Sequence, residues 1–171
     1  MAWSVSAIFQ QAMLNPIAGR AGGTTAPTTY TSLPADTVNV SLFNGTTAPD
    51  KTAVVGSTGY NTGVWTTGNE VTSTNWGAGG LPLASKSFAI DSGSSSICFT
   101  AANLAGGGTV TLTAFYGCLV YDNTITAGTV AKQGLCFNYF GGLQTVSSGT
   151  FTILWPTPAS AAVTAVFNIA V

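Results

Sequence analysis

The chain has almost no charge and no histidine. Lys, Arg, Asp and Glu make up 5% of its 171 residues, against about 25% in an ordinary soluble protein. The four basic residues, Arg20, Lys51, Lys86 and Lys132, are scattered and cannot neutralise a run of phosphates, so no nucleic-acid partner is expected. Without histidine the usual general base and the commonest transition-metal ligand are missing. A Ser or Cys nucleophile then has no evident activating partner.

Acids are equally sparse. Asp36, Asp50, Asp91 and Asp122 each sit beside turn residues, where a carboxylate ordinarily accepts from nearby backbone N–H groups. They offer no acid and base whose environments differ in the way glycoside hydrolysis needs. No loop has the density of acids that calcium requires. The Gly-rich runs at 77–80 and 105–109 lack the Lys and the strand-to-helix setting of a phosphate loop. The chain is therefore expected not to be an enzyme, with no catalytic residue, no metal and no cofactor.

Long apolar runs are missing too. Thr, Gly or Asn interrupts every apolar stretch before the ~18 residues that a membrane-spanning helix needs, so no membrane partner is expected. The first twenty residues do not read as a signal peptide, because no basic residue precedes the apolar part and Gln10 and Gln11 divide it. Cys98, Cys118 and Cys136 are odd in number and widely spaced, which predicts buried free thiols in a reducing compartment.

What is abundant is Thr, Ser, Asn and Gly. Threonine's branched Cβ suits a pleated, half-exposed strand surface. With a formal net charge of -1, little self-repulsion keeps copies apart, and association is favoured.

Two regions separate along the chain. Residues 3–14 carry apolar side chains at three-to-five-residue spacings and stop at Asn15-Pro16, which predicts a short amphipathic helix. Residues 19–36, rich in Gly, Thr and Pro, read as an extended linker. Together, residues 1–36 form an arm. A helix this short is marginal alone, so it packs on its own domain or on a neighbouring subunit. Trp3, Ile8, Phe9 and Met13 are its candidate assembly contacts.

From residue 37 to 171 the period becomes two. Strands are expected at 37–43, 62–66, 70–74, 82–90, 95–101, 108–122, 129–140, 149–155 and 162–170, separated by turn residues. In the clearest, Val110, Leu112, Ala114, Tyr116, Cys118 and Val120 share one face. Strands of this number and length predict an all-β fold, an antiparallel β-sandwich or jelly roll carrying a short N-terminal helical arm.

One stretch, residues 57–80, holds Tyr60, Trp65, Trp76 and Glu70, the chain's one glutamate. Exposed, the three aromatics can form a sugar platform or a contact for a neighbour; buried, they pin strand corners. Glu70 is either a ligand contact or a partly buried acid held by Lys51 or backbone N–H groups.

The spaced pattern from about residue 38 to 156 resembles a family of tailed-phage virion proteins. Its elements are Leu42-Phe43, Ala48-Pro49-Asp50, Tyr60, Asn69-Glu70-Val71, Trp76 with Gly79-Gly80, Leu83, the segment Leu119 to Asp122, and Gly149 to Trp155. The resemblance implies a structural protein of the particle, made in the host cytoplasm. It would be a capsid decoration (cement) protein partnered by the major capsid protein or other virion proteins, as a homo-oligomer such as a trimer. A place at the neck or tail is the alternative within that family. A glycan-binding module built on Tyr60, Trp65 and Trp76 is the alternative outside it.

Overall fold

Alternating and doubly apolar stretches of the sequence become antiparallel strands. The structure, a computed structural model, describes residues 3–13, 33–54, 56–93, 95–126, 131–156 and 165–170. The largest sheet has six strands: β1 (Ala7–Ile8), β2 (Val38–Asn44), β3 (Glu70–Val71), β4 (Leu81–Pro82), β8 (Val110–Asp122) and β9 (Gly134–Gly149). Its order is β1-β9-β8-β2-β3, with β4 beside β3 on the same edge of β2. Three strands, β5 (Ser87–Asp91), β6 (Ser96–Thr100) and β11 (Phe167–Ala170), form a second sheet in the order β11-β6-β5. β7 (Leu104–Ala105) and β10 (Thr152–Ile153) pair as a third. The fold is all-β, and every strand pairing among the described residues is antiparallel.

One apolar core joins the sheets. Val40 and Leu42 of β2 and Leu119 of β8 share a buried cluster with Phe99 of β6, Leu104 of β7, Ile153 of β10, and Trp155. The central strands are buried on both faces, which is why Gly117 to Tyr121 read as a continuous apolar run and not as an alternation.

Four elements differ from the sequence expectation. Residues 62–66 are turns, closed by Trp65 N–H donating to the Thr62 carbonyl at 2.9 Å. The strand expected at 82–90 is interrupted where Ser85 takes a φ of 52°, leaving β4 and β5 in different sheets. β9 continues past Gly141 and Gly142 to Gly149; the two glycines fall in an irregularity between Tyr139, opposite Gly117, and Gln144, opposite Phe115, and pairing with β8 resumes beyond them. In β8 a bulge with Ala114 at φ 57° shifts the register between Leu112 and Phe115. The buried series is therefore Val110, Leu112, Phe115, with Ala114 exposed, and the single face expected from Val110 to Val120 is broken.

The N-terminal segment differs as well. Within the described residues 3–13, Ala7 and Ile8 pair with Phe137 and Cys136 of β9, and helix is confined to one turn at 10–13. Ser4, Val5, Ser6 and Ile8 are weak helix formers; Ala7 and Ile8 pair with β9 instead, and the next residue continues the contact, with Phe9 N–H donating to the Leu135 carbonyl at 3.0 Å. Of the linker expected at 19–36, residues 19–32 lie outside the described residues.

Candidate functional site

Glu70 organises the stretch that set the question. β3 places it opposite Phe43 of β2. One carboxylate oxygen, Oε2, accepts from the Tyr60 hydroxyl at 2.7 Å, and Oε1 accepts from Gly79 N–H at 2.8 Å. The Gly79 carbonyl in turn accepts from the Tyr121 hydroxyl at 2.8 Å and from Asn39 Nδ2 at 3.0 Å. Gly79 sits at φ 83°, a conformation that glycine adopts without penalty. The Tyr60 and Tyr121 rings stack 4.9 Å apart, and the Lys132 ammonium lies 5.0 Å from the centre of the Tyr60 ring.

Burial, reinforced by the Glu70 carboxylate, raises the Tyr60 hydroxyl above the ordinary tyrosine value. Burial raises Tyr121 as well. Neither phenol is a proton donor near neutral pH, and both oxygens of Glu70 are engaged. The cluster ties the 57–65 loop, β3 and the Gly79 corner to β2 and β8; chemically it is a fastening.

The aromatic platform expected of Tyr60, Trp65 and Trp76 is not formed. Trp65 is packed among Trp3, Phe9, Phe43 and Phe137, and Trp76 lies against Phe151 at 5.3 Å. Both indoles are buried, and Tyr60 is 7% exposed, so none of the three presents a ring face to a sugar or a neighbour. The indole N–H of Trp76 is buried without a hydrogen-bond partner.

The expected assembly contacts divide. Trp3 and Phe9 are buried in the chain's own core, so their surface is spent inside the molecule, not between subunits. Trp3 Nε1 donates to the Asn44 carbonyl at 2.9 Å, its indole meeting Trp65 edge-on at 5.8 Å. Ile8 and Met13 are half-buried and, with Gln10, Thr52 and Ala53, line an open hollow of about 540 Å³.

Two features escaped the sequence reading. Asp36 and Asp122 are both buried, and burial, with the neighbouring Asp36 adding to it, pushes the Asp122 carboxyl up to about 6. Each looked like an isolated turn acid, and Asp122 does accept from Thr124 N–H at 2.8 Å; its place at the end of a doubly buried strand was the available signal. The second is a pair of apolar rows across the three-stranded sheet. The register sets Phe88, Phe99 and Phe167 in one row and Ile90, Ile97 and Ile169 in the next. The Phe row packs ring on ring, with Phe99 fully buried, whereas Ile90 is 86% exposed and Ile97 37%.

The three cysteines are free and buried. Burial pushes the Cys118 thiol up to about 12. Among the described residues no group of three or more Cys, Asp or Glu can hold a metal ion. No helix among them is long and apolar enough to cross a membrane. No protein-family model matches the chain, and neither a curated protein nor a solved structure matches it.

Proposed function

We propose that the chain is a structural virion protein of a tailed phage, a decoration protein that binds the major capsid protein on the head as a homo-oligomer. The observation that carries this reading is the isoleucine row of the three-stranded sheet, with Ile90 86% exposed. A monomer gains nothing from a contiguous apolar row that is open at Ile90 and half-buried at Ile169; such rows mark contact surfaces. Among the described residues β5, which carries Ile90, is also an edge strand, with a neighbour on one side, and edge strands pair readily with other chains.

The rest of the molecule supports a role in assembly over one in chemistry. Its aromatic and amide-rich stretch is spent on internal fastening, and its surface is nearly free of charge. Repeated weak contacts across a lattice gain through multivalency and need no strong single interface. In this reading the large sheet and the three-stranded sheet are the two layers of an antiparallel sandwich with a shared core. The half-buried Ile8 and Met13 of the N-terminal segment face the particle.

The test is incorporation into particles. Ile90→Lys is expected to fold as the parent does and to be lost from purified heads, where the parent is present in hundreds of copies. A copy number of a dozen or fewer would assign the chain to the neck or tail. Undiminished incorporation of Ile90→Lys would remove the isoleucine row from the argument.

A further inference from the structure

The backbone of β5 is oriented by its own sheet. The Phe99 carbonyl of β6 accepts from Val166 N–H at 2.8 Å, so Phe99 turns its backbone groups toward β11. Backbone groups alternate sides along a strand, so Ser96, Cys98 and Thr100 turn theirs toward β5, onto their partners Asp91, Ala89 and Ser87. The Ser87 carbonyl accordingly accepts from the Thr100 hydroxyl at 3.2 Å. By the same alternation the N–H and C=O groups of Phe88 and Ile90 point the other way, to the side on which, among the described residues, β5 has no neighbour. On that side the Phe88 carbonyl accepts one long bond, 3.3 Å, from the Ser87 hydroxyl.

The side chains carried by those two residues are apolar and open. Phe88 is 42% exposed and Ile90 86%. β5 contains no proline, lysine or bulge of the kind that blunts an edge against pairing.

We propose that this edge binds the same edge of a second copy of the chain, β5 against β5, antiparallel about a twofold axis at Ala89. One register uses every outward group: Phe88 faces Ile90 of the second copy, Ile90 faces its Phe88, and each pair exchanges two N–H to C=O bonds. A shift of two residues either way moves part of the pairing onto Lys86 or Ser92, beyond the strand ends. A shift of one turns the apolar face of one copy to the opposite side of the joined sheet. In the favoured register Phe167, Phe99 and Phe88 of one copy run on into Ile90, Ile97 and Ile169 of the other. An aromatic ring beside a β-branched side chain is a favourable cross-strand pair, so the exposed ends of the two rows cover each other.

Charge fits the same arrangement. Each end of the joined strands brings Asp91 of one copy next to the Lys86-Ser87 step of the other. The two Asp91 residues lie about 13 Å apart by strand rise, beyond the Debye length of about 8 Å. Parallel pairing would set Asp91 against Asp91. A formal net charge of -1 adds little repulsion between whole chains. The pairing names the partner for the homo-oligomer proposed above and rests on that reading's isoleucine row, but not on its phage or capsid assignment.

The full chain in solution supplies the test. Sedimentation over about 5 to 500 µM is expected to show a reversible monomer to dimer equilibrium. Amide exchange over that range is expected to slow roughly tenfold at Phe88 and Ile90, whereas Ala89, bonded within its own sheet, stays protected throughout. A monomer at every concentration overturns the pairing, as does a dimer in which the Phe88 and Ile90 amides exchange as fast as in dilute solution. Ile90→Pro removes an outward N–H and no bond of its own sheet. It is expected to melt near the parent's temperature and to weaken self-association about tenfold or more; undiminished association of the folded variant also counts against the pairing. If Ile90→Pro does not fold, the concentration dependence of the parent's amides decides. Loss of Ile90→Lys from heads combined with a monomeric parent would keep the capsid reading and remove the pairing, while a β5-paired dimer that never enters particles would do the reverse.

Discussion

The indole of Trp3 fills the space that any side chain at position 117 would need. A Cβ on Gly117 would overlap the six-membered ring of Trp3 and the carbonyl oxygen of Asn138. Gly134 leaves room for the Phe9 ring in the same way. Glycines in the two central strands thus form the sockets for the N-terminal segment, which makes that segment part of the core.

Gly117→Ala is expected to cost about 3 kcal/mol, the upper part of the overpacking range, and Trp3→Ala about 3–5 kcal/mol. The two effects are expected to sum to more than the double variant costs, because removing the indole relieves part of the Gly117→Ala clash. Denaturant midpoints and tryptophan emission measure both. Full additivity would mean that the Trp3 ring does not occupy the socket.

Removal of residues 1–13 is expected to destabilise the isolated chain, since it opens the cluster of Trp65, Phe137 and Phe43 to water. A truncated chain melting at the parent's temperature would show that the segment is a detachable arm.

Tyr60→Phe leaves Glu70 Oε2 without its 2.7 Å donor and is expected to cost about 1.5–3 kcal/mol, the range for a hydrogen bond to a charged group. Spectrophotometric titration of the parent is expected to retain a tyrosine ionising above the ordinary range. In Glu70→Gln that titration moves only part of the way back, because burial is the larger cause of the shift. A return to ordinary values would make the carboxylate, not burial, the dominant influence.

Thiol labelling separates the folded from the unfolded chain cleanly. All three cysteines are buried, and the Cys118 thiol is pushed to about 12, so almost no thiolate is available near neutral pH. Iodoacetamide is expected to modify none of them in the native chain and all of them in denaturant; rapid native labelling of Cys118 would contradict its burial.

Ile90→Lys is expected to leave stability within about 0.5 kcal/mol of the parent, as exposed substitutions away from special features do. That neutrality, read from thermal melts, is what allows its effect on particle binding to be attributed to the surface.

Much of the architecture was legible in the residues. Period-two patterning located β2, β6 and β8, and the charge-poor, threonine-rich composition indicated an all-β chain. β9 was cut short because Gly141 and Gly142 look like breakers when only local propensity is read; they do interrupt the register, and pairing with β8 resumes beyond them at Gln144. Trp65 looked like part of a strand because it lies in an apolar, β-branched neighbourhood, yet its backbone closes a turn and its ring alone enters the core. The bulge at Ala114 left no mark in the alternation that precedes it.

The candidate sites were less legible, for a reason of distance along the chain. Composition and periodicity determine which segments extend and which faces are apolar, because both act between residues a few positions apart. Whether Trp3 serves a neighbour or its own core depends on Gly117, and whether Asp122 is a plain turn cap or half of an acid pair depends on Asp36. Those relationships arise only when strands from opposite ends of the sequence are laid side by side. By itself the sequence determined a charge-poor, histidine-free, strand-rich chain. Tertiary pairing decided which aromatics are interior and which isoleucines face out, and it brought two like charges together, because burial and contact belong to the packed chain and to no local segment of it.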